Sequence, residues 1–184
     1  MTTMSASTVP SDPAGLAALI HDDVLQSLGV AVLGVDLCRR FHQRERYEQA
    51  LEEIVGISDA LNLALASSAR LLPSLMALLP PSRPTGRRMA LTGSPDAARP
   101  AAGPQEIVDT LAACATQARR CRGQYDAGLG EDTMQDLEVM NQRLEFASVA
   151  FRDVMGQLRL LAGRPLAPQS ASPRTNVVAW SRSA

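Results

Sequence analysis

From Ala14 to about Phe41, apolar residues recur at Ala17, Ile20, Val24, Leu28, Ala31, Val35 and Cys38. Those steps of three and four draw one stripe down a helix. Ser11 or Asp12 is positioned to cap it, with Pro13 in the first turn, where proline lacks only an N–H that would be orphaned there anyway. Gly29 and Gly34 weaken this helix by about 1 kcal/mol each relative to Ala, so packing has to hold it. A charged reversal, "HQRERYEQ", leads into a second helix from about Tyr47 to Leu79. Its stripe reads Leu51, Ile54, Ile57, Leu61, Leu65, Ser68 and Leu72. Pro73 falls inside that pattern and predicts a kink or an end, because it removes a backbone hydrogen bond and crowds the preceding turn. Pro80 and Pro81 stop the helix.

Residues 81–104 are rich in Pro, Gly and small residues and read as a flexible linker. "PQEIVDTLAACATQARRCRGQYD" then predicts a third helix opening at Pro104, "GLGEDT" breaks it, and Glu131 to about Ala162 forms a fourth. The fourth stripe is Met134, Leu137, Met140 or Asn141, Leu144, Ala147, Phe151, Val154 and Leu158. No alternating strand pattern occurs. The expectation is an all-α chain: two antiparallel helical hairpins, 13–80 and 105–163, forming a four-helix bundle either by dimerisation or within one chain. Residues 1–12 read as a disordered lead-in and 164–184 as a flexible tail. The hairpins have similar lengths, but residue identities do not mark a duplication.

Composition narrows the function. Eighteen basic residues stand against nineteen acidic, a net charge of −1, and no Lys/Arg stripe is present to release counterions from nucleic acid. Cys38, Cys114 and Cys121 lack CxxC spacing and, with two distant histidines, make no zinc site; free thiols in a reducing compartment are expected. "MTTMSASTVPSDPAG" has no basic start and no apolar run of the secretory kind. The unbroken apolar runs fall short of the ~20 residues that span a bilayer. A cytoplasmic protein without metal or cofactor, and without a membrane or nucleic-acid partner, is the expectation.

The chemistry-bearing stretch is "IHDDVLQSLG", residues 20–29. On a helix His21 lies beside the stripe of Ile20, Val24 and Leu28, at the solvent edge, while Asp22 and Gln26, four apart, share the next strip. A neutral imidazole is a nucleophile near neutral pH. An adjacent carboxylate can accept its ring N–H, fix the tautomer and steady the imidazolium as a phosphoryl group arrives. A carboxamide one turn on can position water for the hydrolytic reverse. The alternative is a surface histidine with incidental acidic neighbours.

"LAALIHDDVLQSLGVAVLGVDLCRR", followed by "ALEEIVGISDALNLALASSARLL", resembles the dimerisation and histidine-phosphotransfer domain of the NarL/DesK-type class of bacterial sensor histidine kinases. The resemblance covers about residues 14–80. It rests on HDxxxQ (His21, Asp22 and Gln26), the spaced aliphatics, the charged turn, and the Arg-Leu-Leu that begins at Arg70. It implies His21 as phosphoacceptor, Asp22 as its acid–base partner and Gln26 as the residue assisting dephosphorylation. It also implies a response regulator or partner kinase as partner, and a homodimer in which two hairpins make the bundle. Two departures bear on the kinase's ATP domain: "LAALIHD" replaces the family's "RELHD", and "LLP" at 78–80 replaces its "LRP".

"DAGLG", Asp126 to Gly130, fits the DxGxG of a nucleotide box, but no Val/Ile-rich strand flanks it, and it reads equally as a glycine stop before an acidic helix start. His42 is expected to be solvated in the charged turn, the fourth-helix methionines to be packing, and "RRCR" at 119–122 to be a cationic helix end. The functional expectation is a phosphotransfer or kinase-like module of a two-component system, relaying phosphate to a response regulator or removing it, without its own ATPase lobe. The competing expectation is a catalytically silent helical scaffold.

Overall fold

The computed structural model describes residues 10–79 and 102–163, so the expected lead-in, linker and tail lie largely outside the described residues. Within them the chain is all-α, with no strand. Helix α1 spans Pro13–Gln43, α2 Tyr47–Leu78, α3 Pro104–Asp126 and α4 Gly130–Ala162. Asp12 caps α1 as its side chain accepts from the Gly15 N–H at 2.7 Å, with Pro13 in the first turn. Pro104 likewise stands in the first turn of α3, after Gly103, which makes no side-chain cap.

Both hairpin turns close by one backbone device. After α1, the Arg46 N–H donates to the Phe41 carbonyl (2.9 Å) and the Glu45 N–H to that of His42 (3.0 Å). After α3, the Leu129 N–H donates to Gln124 (3.0 Å) and the Gly128 N–H to Tyr125 (3.0 Å). These are Schellman closures, which need a left-handed residue just past the helix. Gly128 (φ 81°) supplies it in the second turn and Glu45 (φ 58°) in the first. "DAGLG" is thus a helix-to-helix turn.

The helix faces follow the expected stripes, except at three α2 positions. All seven stripe residues of α1 are buried, as is the α4 stripe from Leu137 to Leu158. On α2 the buried set is Ala50, Ile54, Ile57, Leu61, Ala64, Ser67, Ser68, Leu71 and Leu75, while Leu51, Leu65 and Leu72 lie half-buried at its margin. Pro73 does not end α2, which runs on to Leu78. Its ring and Ala69, whose carbonyl loses its intrahelical partner, are both exposed, so water can take that carbonyl. By length and composition α1 and α2 are each apolar enough to cross a bilayer, a point that short unbroken runs concealed. Here their apolar stripes face protein.

Neighbouring helices pack in sequence: α1 on α2, α2 on α3, α3 on α4, and α4 back on α1, with no direct approach of α1 to α3 or of α2 to α4. The burial pattern repeats at one separation. His42 and Tyr125 are 83 positions apart. That same shift maps buried Val24, Leu28, Ala31, Val35 and Cys38 onto buried Ile107, Leu111, Cys114, Ala118 and Cys121. It also maps Ile54, Ile57, Leu61, Ala64, Leu71 and Leu75 onto Leu137, Met140, Leu144, Ala147, Val154 and Leu158. The second hairpin is therefore a structural repeat of the first, in register across both helices and the turn, which residue identities did not reveal.

Close approach within the first hairpin rests on Gly34: a Cβ there would lie 2.7 Å from Ile57 Cγ1, whereas a Cβ at Gly29 would meet nothing within 4 Å. Gly34→Ala should therefore lower stability by about 1–3 kcal/mol through overpacking. Gly29→Ala should raise it by about 0.5–1 kcal/mol. Urea titration of the two variants checks the opposite signs.

The three thiols are free and buried. Burial, above all, raises their pKa values, Cys38 to about 12 and Cys114 and Cys121 to about 11, with nearby Glu53 adding to the rise at Cys38. Because the folded values lie above the unfolded ones, the unfolded chain loses protons that the folded chain keeps. Their contribution is fully present below about pH 9 and falls as pH rises through the 9–12 window. Denaturant midpoints measured from pH 8 to 11 should decline, and a Cys-to-Ala triple variant should flatten that decline.

Candidate functional site

The HDxxxQ stretch does not lie on regular α-helix. Ile20–Leu25 forms a π turn inside α1, closing i→i+5 in place of i→i+4. Ile20, Val24 and Leu28 are all fully buried although two successive steps of four separate them. On a pure α-helix those steps would swing the stripe away by about 80°; the wider turn absorbs the drift. The same geometry affects His21 and Gln26. Residues five apart stand about 140° apart around an α-helix, and the wider turn narrows that angle, bringing them toward one side.

His21 is exposed, its side chain 58% accessible and that of Asp22 63%. The two are joined by a 2.7 Å hydrogen bond between His21 Nδ1 and Asp22 Oδ1. A carboxylate only accepts, so Nδ1 carries the proton and the neutral ring leaves its Nε2 lone pair free. Asp22 and Gln26 line one shallow groove between α1 and α2, of about 400 Å³, with Asp23, Ser27, Val30, Leu63, Ser67 and Arg70. His21 is tied to the groove through Asp22. The expected strip of Asp22 and Gln26 is thus present as one surface, and Arg70 joins it from the second helix.

Sequence reasoning left Asp23 without a role. Its Oδ2 accepts from Arg70 Nη2 at 3.0 Å, bridging α1 and α2 beside the groove. Ser27 Oγ donates to the Asp23 carbonyl at 2.7 Å, satisfying a backbone acceptor where the π turn returns to α-helix. The signal that could have exposed the π turn is the four-four spacing of the stripe.

His42 corrects another expectation. Its side chain is only 16% accessible and lies edge-on to Tyr47 and Tyr125, each ring centroid 5.8 Å away. Its Nδ1 is 3.2 Å from the Tyr125 hydroxyl. It is walled in because the closure after α1 turns it toward the corresponding residue of the closure after α3. Elsewhere, "RRCR" is not the expected cationic helix end: α3 runs on to Asp126 with no basic residue in its last turn, and Arg120 is paired with Asp136 at 2.5 Å across the second hairpin. Among the described residues no group of three or more His, Cys, Asp or Glu converges as a metal site.

No protein-family model matches the chain, and comparison with curated proteins and with solved structures gives no significant match.

If Asp22 fixes the ring, ¹⁵N NMR of neutral His21 should show Nδ1 protonated and Nε2 bare. Asp22→Ala should release that preference and mix the two tautomers.

Proposed function

We propose that the chain is a histidine phosphotransfer module of a bacterial two-component signalling system, with His21 as phosphoacceptor and its four helices forming one bundle within a single chain. The observation that carries this reading is the exposed imidazole whose Nδ1–H is held by Asp22, beside a groove that Asp22 shares with Gln26. Transfer from an aspartyl phosphate on a response regulator would form an Nε2–P bond as the P–O bond to the regulator's carboxylate breaks. The phosphoimidazole so formed carries a positive ring, which the Asp22 carboxylate stabilises through Nδ1–H. In the reverse step the regulator's carboxylate attacks phosphorus and the N–P bond breaks. Gln26 is placed to orient water for hydrolysis.

The repeated burial pattern supports the single-chain bundle. The second hairpin covers the face of the first on which, in the kinases the sequence resembles, a second chain's hairpin packs. At the separation of 83 seen between His42 and Tyr125, the residue matching His21 is Pro104, which has no side chain capable of accepting phosphate. One acceptor per bundle follows. This favours a monomer over the homodimer expected from the resemblance, and a solution mass near 19.6 kDa instead of twice that value checks it. The "DAGLG" turn carries no nucleotide box, so phosphate would come from a partner kinase or regulator. Free, buried thiols suit a reducing compartment such as the cytoplasm.

Incubation with a low-molecular-weight phosphodonor, and separately with labelled ATP, tests the assignment. Acid-labile, alkali-stable label should appear from the donor, not from ATP, and His21→Ala should abolish it. Absence of label from both would remove the phosphoacceptor role and leave a helical scaffold as the standing reading.

A further inference from the structure

The turn end of the helices holds a second site, independent of His21. We propose that it binds an organic cation, a guanidinium or ammonium head group, in the cavity walled by His42, Tyr47 and Tyr125 and edged by Asp126, Glu131 and Asp132. The cavity measures about 620 Å³. Both tyrosines of the chain and one of its two histidines converge on it. The ring planes of Tyr47 and Tyr125 cross that of His42 at 66° and 67°, forming a concave aromatic wall. Tyr47 stays 54% exposed, leaving ring surface unused by the fold.

The cavity arises where the two structural repeats differ. The counterpart of Tyr47 in the second turn is Gly130, and a Cβ there would lie 2.6 Å from His42 Cε1. Gly130 thus lets the start of α4 approach His42 while omitting the ring that would fill the space.

The charges differ in the same direction. Gln43 and Gln49 of the first turn correspond to Asp126 and Asp132 of the second, and Arg44 and Arg46 to Ala127 and Leu129. Three carboxylates therefore edge the cavity, and no Lys or Arg lines it. Asp126 and Asp132 form no ion pair among the described residues, and Glu131, 96% exposed, reaches only His42 Nε2 at 3.6 Å. The carboxylates do not converge as a metal site. Aromatic faces with dispersed negative charge suit a cation whose own charge is spread over several atoms.

Titration of the full chain with butylguanidinium, followed by ¹H–¹³C NMR of the tyrosine rings, tests this. Saturable shifts of Tyr47 and Tyr125 are expected, with none from the neutral isostere butylurea. Tyr47→Ala and Glu131→Gln, both at exposed positions and checked for retained helical circular dichroism, should each weaken binding about 2- to 5-fold. A capped Gly-Arg-Gly peptide separates the sources: tighter binding than butylguanidinium assigns the site to an arginine side chain of a partner, and equal or weaker binding to a free small organic cation. Equal shifts from butylurea, no saturable shift, or affinity unchanged in both variants would overturn the proposal.

Discussion

The seating of Ile57 against the bare backbone of Gly34 sets how closely α1 and α2 can lie, and the first hairpin is built at that spacing. Small side chains, Ala31, Ala50, Ala64, Ser67 and Ser68, are buried along these two helices among larger aliphatic residues such as Ile54, Ile57 and Leu61. Ser68 is fully buried yet satisfied, since its hydroxyl donates to the Ala64 carbonyl at 2.7 Å. The same spacing brings Arg70 within reach of Asp23 and narrows the surface between the helices to a shallow groove beside His21. The geometry of the candidate site therefore depends on a packing contact roughly two to four helical turns away from it.

The second hairpin repeats the burial pattern of the first but not its chemistry. Positions that face the core keep their burial, because the ring of helix contacts constrains them, although size differs at pairs such as Ser68 and Phe151. Elsewhere the two hairpins differ: exposed His21 corresponds to buried Pro104, and a basic turn to an acidic, glycine-bearing one. A two-fold scaffold thereby carries two unlike ends, each with its own polar surface.

Much of this fold was legible in the sequence. The helix limits, the Asp12 cap and the α1 stripe follow from local rules of spacing and capping. The α2 stripe holds at Ile54, Ile57, Leu61 and Ser68 but misses by one position at Leu51, Leu65 and Leu72, where the neighbours Ala50, Ala64 and Leu71 are buried instead; counting leucines favours Leu51 and Leu65 over the small alanines beside them. The repeat was hidden for a related reason: the two hairpins share the places of their buried residues, whereas only a few identities, such as Cys38 with Cys121 and Leu61 with Leu144, are shared. His21, Asp22 and Gln26 were found as a motif. The Asp23–Arg70 bridge joins residues 47 positions apart, and the His42–Tyr125 contact joins residues 83 apart. No local pattern announces either.

The π turn has a consequence for the length of the chain. The segment Pro13–Leu19 packs chiefly on α4, burying Leu16 and Ala17, whereas the helix beyond Gln26 faces mainly α2. The two halves of α1 are held at different rotational phases, and the extra residue of the wide turn is what reconciles them. Were the turn to relax to ordinary α-helix with all its residues kept, the upstream segment would swing by about 100°, turning Leu16 toward water, whereas removing one residue between Ile20 and Leu25 would let an ordinary α-helix hold both halves where they are. The surplus residue is therefore held by packing on both sides of it, and the histidine stands on the turn that accommodates it.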